Sequence, residues 1–181
     1  MSAWVFAVNR RRWIAGRGSR RRRPMGDSVM TKSPSRSTSL GRVLVIDDEP
    51  DMVDLLRQIL AEAGFDVICA LNGGDGLMLE DFEQPDLILL DLTMPGLSGF
   101  DVLRRVRSAR PDVPVIIVSG QADLKLARAT LECGAANYLP KPFDPDHLID
   151  AVVAALNGRA ASQKKEASPR PLRPTISGRV D

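Results

Sequence analysis

Short apolar runs and amphipathic segments alternate along the middle of the chain. Residues 42–47, 86–91 and 114–118 are runs rich in Val, Ile and Leu, a composition typical of strands that are covered on both faces. The short runs 65–70 and 135–139 also predict strands. Between the runs, apolar residues recur at helical spacing and predict helices over residues 50–63, 72–82, 98–109 and 121–132 and from residue 144 onward.

The predicted helices begin and end at residues suited to those positions. Pro50 fits the first turn of the first helix, and Gly64 follows its last turn. Ser98 stands three residues before Asp101, in the manner of a capping box, and Asp144 is placed to cap the last helix. The end signals and the hydrophobic pattern therefore agree on five successive rounds of strand and helix.

This alternation predicts a doubly wound α/β domain with a five-stranded parallel sheet over residues 42–159. Strands that are apolar on both faces require helices on both sides of the sheet. Residues 1–41 and 160–181 lack lasting periodicity, and they are rich in charged residues, Ser and Pro. We expect both segments to be disordered tails.

Charge is distributed unevenly over these three parts. Residues 1–41 hold ten Lys/Arg and one acid, residues 42–159 hold ten and twenty, and residues 160–181 hold five and two. An acidic domain therefore lies between basic tails. The basic residues could touch nucleic acid or anionic lipid, but no aromatic interleaving or helix-turn-helix pattern accompanies them, so we expect no specific DNA binding.

Membrane and secretion signals are missing from the pattern. The sequence has no run of about 18 apolar residues, and its first residues do not have the order of a secretory signal. Cys69 and Cys133 stand in apolar contexts and are expected to be buried free thiols. We therefore predict a cytoplasmic protein without a membrane partner.

Polar residues follow four of the five predicted strands. Parallel sheets of this kind bind ligands beyond the carboxyl ends of their strands, so residues at those ends are expected to meet at one rim. Clustered carboxylates repel one another unless a cation lies among them, and Mg²⁺ prefers a few carboxylates, a carbonyl and waters. The residues at the rim are Asp47, Asp48 and Glu49 after the first strand, Asp91 after the third, Ser119 after the fourth and Lys141 after the fifth.

This set of side chains suits phosphoryl transfer to a carboxylate. Asp91 can attack phosphorus as a nucleophile, provided that the negative charge growing on the phosphoryl oxygens is neutralised. Mg²⁺ can neutralise one oxygen, the Lys141 ammonium a second, and the Ser119 hydroxyl can donate to a third. The sequence therefore predicts Asp91 as a phosphoryl acceptor in a magnesium site.

Four stretches of the sequence resemble the receiver domain of bacterial response regulators. They are VLVIDDEP, DLILLDLTMPGLSGFDVL, VPVIIVSG and AANYLPKPFD. The resemblance implies a flavodoxin-like sheet of strand order 2-1-3-4-5 with five helices. It also implies roles for individual residues: Asp91 as phosphoacceptor, Asp48, Asp91 and the Thr93 carbonyl as Mg²⁺ ligands, Asp47 as an outer or water-mediated ligand, Ser119 as the switch hydroxyl, Tyr138 as the rotating aromatic and Lys141 as the phosphate-binding lysine.

Partners and output follow from the same resemblance. The lone histidine, His147, is predicted within the last helix and away from the rim, so a sensor histidine kinase or a histidine phosphotransfer protein must supply the phosphoryl group. The 22 residues after position 159 are too few for an output module, so we expect a single-domain, non-enzymatic regulator that signals by protein contact. The expected output face comprises the fourth strand, fourth helix and fifth strand, near Leu124, Lys125, Arg128 and Tyr138.

Two other functions are compatible with parts of the sequence. A DNA-associated regulator could use the arginines of residues 10–12 and 20–23, and deletion of residues 1–30 would separate that function from the first. A magnesium-dependent phosphatase could use Asp91 as its nucleophile. Such an enzyme usually needs a second aspartate, which acts as an acid catalyst, two residues after the nucleophile. Thr93 occupies that position here and argues against a phosphatase.

Overall fold

A computed structural model of the chain describes residues 39–121 and 123–166. The tail predictions for residues 1–38 and 167–181 lie outside this part of the chain. Strands and helices alternate through the described residues. They are β1 Arg42–Ile46, α1 Pro50–Glu62, β2 Asp66–Ala70, α2 Gly73–Glu83, β3 Leu87–Leu90, α3 Gly99–Ala109, β4 Val115–Ser119, α4 Leu124–Glu132, β5 Asn137–Pro140 and α5 Pro145–Glu166.

The strands form one parallel sheet of order β2-β1-β3-β4-β5, which confirms the predicted topology. In its register, Ile46 of β1 is level with Ala70 of β2 and with Leu90 of β3. The residues that follow β1 and β3 therefore begin at the same edge of the sheet. These residues are Asp47 and Asp91.

Two apolar cores lie on opposite faces of the sheet. Leu44 and Ile46 of β1 pack with α2, α3 and α4, while Val43 and Val45 of the same strand pack with α1 and α5. All four side chains are fully buried because successive residues of a strand point to opposite faces. This arrangement explains why the strand sequence is apolar throughout.

Two helix boundaries differ from those predicted by more than one residue. The fourth helix was expected from residue 121, but α4 begins at Leu124 because the side chain of Asp123 accepts a hydrogen bond from the amide of Lys125 at 2.8 Å and caps it. The last helix continues to Glu166, so residues 160–166, expected in a disordered tail, are helical.

Arg159 links α5 to the edge of the sheet at which the strands begin. Its Nη1 donates to the carbonyl of Asp86 at 2.9 Å and to the carboxylate of Asp86 at 3.2 Å, and its Nη2 donates to Asp112 at 2.9 Å. Asp86 also accepts a hydrogen bond from the amide of Arg42 at 2.9 Å. One guanidinium thus joins α5 to the residues that precede β3 and β4.

Two smaller expectations can be set against the described residues. Cys69 and Cys133 are free thiols, and each is partly rather than fully buried. None of the described helices combines the length and the apolar composition needed to cross a bilayer.

Candidate functional site

The structure places three of the predicted site residues in one buried cluster. Lys141 Nζ lies 2.7 Å from Asp47 Oδ2 and 3.2 Å from Asp91 Oδ1. The side chains of Asp47, Asp91 and Lys141 are only 1%, 4% and 10% exposed. The two carboxylate oxygens are therefore separated by no more than the sum of those two distances, with an ammonium within reach of both.

The electrostatics of this cluster follow from burial and from the shared lysine. The pKa of Asp47 is raised, mainly because the carboxylate is buried, and the charge of Asp91 adds to the rise. The hydrogen bonds from Lys141 and from the Glu49 amide, and the charge of Lys141, lower this pKa but do not cancel the effect of burial. Burial by itself lowers the pKa of Lys141, but its contacts with Asp47 and Asp91 outweigh burial and the net pKa is raised. Lys141 is therefore a permanent cation at neutral pH.

Backbone groups hold both carboxylates in place. Asp47 Oδ1 accepts a hydrogen bond from the amide of Glu49 at 3.0 Å, and Asp91 Oδ2 accepts one from the amide of Thr93 at 2.5 Å. The loop after Asp91 brings the start of α3 very close to the end of β3. A Cβ added at Gly99 would lie only 2.0 Å from the carbonyl oxygen of Asp91. Glycine at position 99 therefore allows the loop and the start of α3 to approach the end of β3 closely.

Ser119 and Lys141 lie at the ends of adjacent strands and are joined through the backbone. Ser119 is fully buried, and its carbonyl accepts a hydrogen bond from the Lys141 amide at 2.7 Å. Its hydroxyl oxygen accepts one from the amide of Gln121 at 3.3 Å. No acceptor for the Ser119 hydroxyl proton is found among the described residues, so this buried group still has a donor to offer.

Gln121 connects the remaining predicted residues. Its side-chain amide donates to the Thr93 hydroxyl at 3.4 Å, and its carbonyl accepts a hydrogen bond from the hydroxyl of half-buried Tyr138. The sequence did not indicate this bridge between Gln121 and Thr93 or Tyr138. It also missed the contact of Glu49 with Lys141 at 3.4 Å, for which the only signal was the acidic run after the first strand.

The donor set suits a magnesium ion. Asp48 is half-buried, and no hydrogen bond or ion pair ties its side chain to another described residue, so its carboxylate is uncommitted. Residues 39–121 and 123–166 hold no group of three His, Cys, Asp or Glu side chains arranged as a complete metal cage. Mg²⁺ does not need one, because it usually takes one or two carboxylates and keeps several waters. Oxygen donors and an excess of acidic charge beside Asp91 both fit this ion.

Solved structures with the same fold include receiver domains. The chain aligns with a CheY-like receiver domain protein from Methanospirillum hungatei at 31% identity and a TM-score of 0.65, covering 68% of this chain and 99% of that one. It also aligns with the CheX–CheY–BeF₃–Mg²⁺ complex of Borrelia burgdorferi at 28% identity and a TM-score of 0.60, covering 62% and 87%. That relative was therefore crystallised with beryllofluoride and magnesium.

Several curated relatives are longer regulators. The Escherichia coli regulatory protein AtoC is 38% identical over 129 residues, and the Mycobacterium tuberculosis transcriptional regulatory protein PrrA is 38% identical over 141 residues. These alignments cover 71% and 76% of this chain, but 28% of AtoC and 60% of PrrA. The name of PrrA refers to transcription, so these relatives give no support to the expectation that specific DNA binding is absent.

A family model decides the classification. The response regulator receiver domain model matches residues 43–153, which is more than half of the chain and contains the whole acid–lysine cluster. The flavodoxin-like order of the strands agrees with the solved receiver domains. The chain therefore belongs to the family of response regulator receiver domains.

Proposed function

We propose that Asp91 accepts a phosphoryl group from the phosphohistidine of a sensor kinase or a histidine phosphotransfer protein. In this step an Asp91 carboxylate oxygen bonds to phosphorus, the P–N bond breaks, and its electron pair returns to the imidazole of the partner. The observation that carries the proposal is the environment of Asp91, a 4% exposed carboxylate beside a buried ammonium at 3.2 Å. Few structural roles would require this costly arrangement of buried charge.

Lys141 and Ser119 are proposed to contact the phosphoryl oxygens. Lys141 is a lasting cation because its pKa is raised, and its reach to Asp91 allows it to neutralise charge on the incoming group. Ser119 contributes a hydroxyl proton that has no acceptor among the described residues. Lys141 already lies 3.2 Å from Asp91 before phosphorylation, which reduces the reorganisation that the step requires.

Magnesium completes the proposed site. Asp48, Asp91 and the Thr93 carbonyl would hold the ion, with Asp47 as an outer ligand, and the ion would neutralise negative charge on the phosphoryl oxygens. Support comes from the uncommitted Asp48 carboxylate and from the magnesium complex of the Borrelia relative.

Phosphorylation is proposed to act on the β4–α4–β5 face. A phosphoryl group on Asp91 adds negative charge and acceptor oxygens, and these attract the Ser119 hydroxyl and the Lys141 ammonium. Movement of Ser119 displaces Gln121, whose carbonyl holds the Tyr138 hydroxyl. A downstream protein would then bind the changed face, where Leu124 is 87% exposed. In this role the chain acts on its own phosphoryl group and not on an external substrate.

The acceptor assignment can be tested with a small phosphodonor. Incubation of the wild-type chain with acetyl phosphate and Mg²⁺ should produce a retarded band on a phosphate-affinity gel, and Asp91→Asn should abolish it. Asp150→Asn is the matched control, because Asp150 is an exposed aspartate of α5 and should leave the band unchanged. A band that persists in Asp91→Asn, or no band in the wild type, would overturn the assignment.

A further inference from the structure

The outer face of α2 carries an exposed apolar stripe. Met78 and Phe82 are 71% and 82% exposed, and Leu71, just before the helix, is 40% exposed. Met78 and Phe82 are four residues apart and therefore lie on the same side of α2, while Leu71 lies just before the helix. These three exposed side chains are here called the α2 stripe. Isolated exposed apolar residues are ordinary on a protein surface, whereas several on one short segment point to a binding surface.

The packing of α2 prevents this stripe from turning inward. Gly73 and Gly76 face the interior, where a Cβ on Gly73 would lie 2.8 Å from Val102 and one on Gly76 would lie 2.6 Å from Ile46. Two glycines are therefore among the buried contacts of the helix, and its two largest apolar residues, Met78 and Phe82, point outward. Rotation of α2 about its axis would force side chains into these two close approaches, so the exposure of Phe82 is a fixed property of the fold.

The charge beside the stripe is negative. Helix α2 contains acids at positions 75, 80, 81 and 83 and no Lys or Arg. Glu80 is paired with Arg110 at 3.2 Å and Glu83 with Arg42 at 2.7 Å. Asp75 and Asp81 are exposed and form no ion pair with any residue of the described ranges. The stripe is therefore flanked by two acids whose charge is not neutralised.

We propose that the α2 stripe binds a basic amphipathic helix of a partner protein. Apolar side chains at helical spacing on the partner would cover Leu71, Met78 and Phe82, and Lys or Arg beside them would meet Asp75 and Asp81. The surface differs from the output face, because α2 packs on β1 and β2 while α4 packs against β5 at the other end of the sheet order. One receiver could thus bind a partner on α2 while a second protein reads its α4 face.

Two synthetic helices provide the test with the full chain. One presents leucine on one face and lysine on the other, and its twin carries glutamate in place of lysine. Titration of each fluorescently labelled peptide with the chain should show binding of the lysine form only. Phe82→Gln and Met78→Gln should each weaken that binding about tenfold or more, as expected of central apolar contacts. Asp81→Asn should weaken it less and reduce its dependence on salt.

Leu124→Gln is the matched control, because Leu124 is an equally exposed apolar residue on α4. It should leave binding of the lysine peptide unchanged, and circular dichroism should show that all variants are folded. The proposal is overturned if the lysine peptide does not bind, if both peptides bind alike, or if Leu124→Gln causes the same loss as Phe82→Gln.

Discussion

Replacing Lys141 with methionine removes the ammonium that lies between two buried carboxylates. The change deletes contacts of 2.7 Å to Asp47 and 3.2 Å to Asp91, and a longer contact of 3.4 Å to Glu49. Methionine retains much of the aliphatic stem, so the loss of charge dominates over the loss of packing. In buffer free of Mg²⁺, the two carboxylates of the variant then face each other without a cation.

The size of the effect follows from the burial of the three groups. Removing one partner of a buried ion pair costs about 3–5 kcal/mol, whereas the contact with Glu49, which is 67% exposed, adds less than about 1 kcal/mol. Asp47 and Asp91 keep their hydrogen bonds from the amides of Glu49 and Thr93, which reduces the cost. We expect the free energy of unfolding to fall by about 3 kcal/mol at neutral pH.

The loss should depend on pH with a definite sign. Burial raises the pKa of Asp47 in the folded state, and Lys141 opposes that rise. Without Lys141 the pKa of Asp47 rises further. A folded-state pKa above the unfolded value favours the folded state at low pH, and this stabilisation is lost as the pH rises through the folded value. The deficit of the variant should therefore be smallest in acid and grow toward neutral pH.

Urea denaturation followed by circular dichroism at about pH 4.5 and about pH 7.5 measures both effects. Lys125→Met is the control, because Lys125 is an exposed lysine of α4 and its loss should change stability by less than about 0.5 kcal/mol. The raised pKa of Lys141 keeps that residue charged throughout this range. A Lys141→Met variant as stable as the wild type at neutral pH, or a deficit that does not vary with pH, would refute this account of the cluster.

Three further results are expected from the same structure. Mg²⁺ should stabilise the wild type by about 2.7 kcal/mol at a hundred times its Kd, and thermal melts should show that Asp48→Asn removes most of this gain. Gly99→Ala should cost about 3 kcal/mol in urea denaturation, because its Cβ would lie 2.0 Å from the Asp91 carbonyl oxygen. Arg159→Met should cost about 1–2 kcal/mol at neutral pH, and less in acid. Burial by itself raises the pKa of Asp112, but the contacts with Arg159 outweigh burial, and the net pKa is lowered in the folded state. The stabilisation that Asp112 and Arg159 provide is therefore present at pH values above the pKa of Asp112 in the unfolded chain, and it disappears as the pH falls through the folded-state pKa.

Each of these predictions has a matched comparison. An equal Mg²⁺ response in Asp48→Asn and the wild type would exclude Asp48 as a ligand of the proposed magnesium site. Gly158→Ala should be tolerated, since no atom lies within 4 Å of its added Cβ, and a similar cost at positions 158 and 99 would contradict the steric argument. Arg128→Met breaks only an exposed pair with Glu132 and should be nearly neutral, so a loss as large as that of Arg159→Met would show that burial does not set the difference.

Most of the fold and of the acid–lysine cluster could be predicted from the hydrophobic pattern and from the polar residues that follow the strands. The run at residues 43–46 is apolar at every position, and the structure buries both of its faces, so the two-sided sheet could be predicted. The convergence of Asp47, Asp91 and Lys141 followed from the rule that parallel strands end at one edge. In both cases the information is local, because each strand and its following residue are adjacent in sequence.

Features that depend on distant contacts could not be predicted. Residues 160–166 have no apolar face that would indicate a helix, yet α5 continues through them beyond Arg159, which pairs with Asp86 and Asp112 far away in sequence. The outward direction of Phe82 likewise depends on Gly76 meeting Ile46, a contact between α2 and β1. Periodicity describes one helix at a time and contains no information about such partners.

The hydrogen bond from the Lys141 amide to the Ser119 carbonyl couples the loop after β4 to the loop after β5. A displacement of Ser119 should therefore also displace the Lys141 backbone, so we expect the two loops to respond together to a change of charge at Asp91. Substitutions at Ser119 and at Lys141 should therefore alter the same conformational transition of the receiver, both in its rate and in its extent.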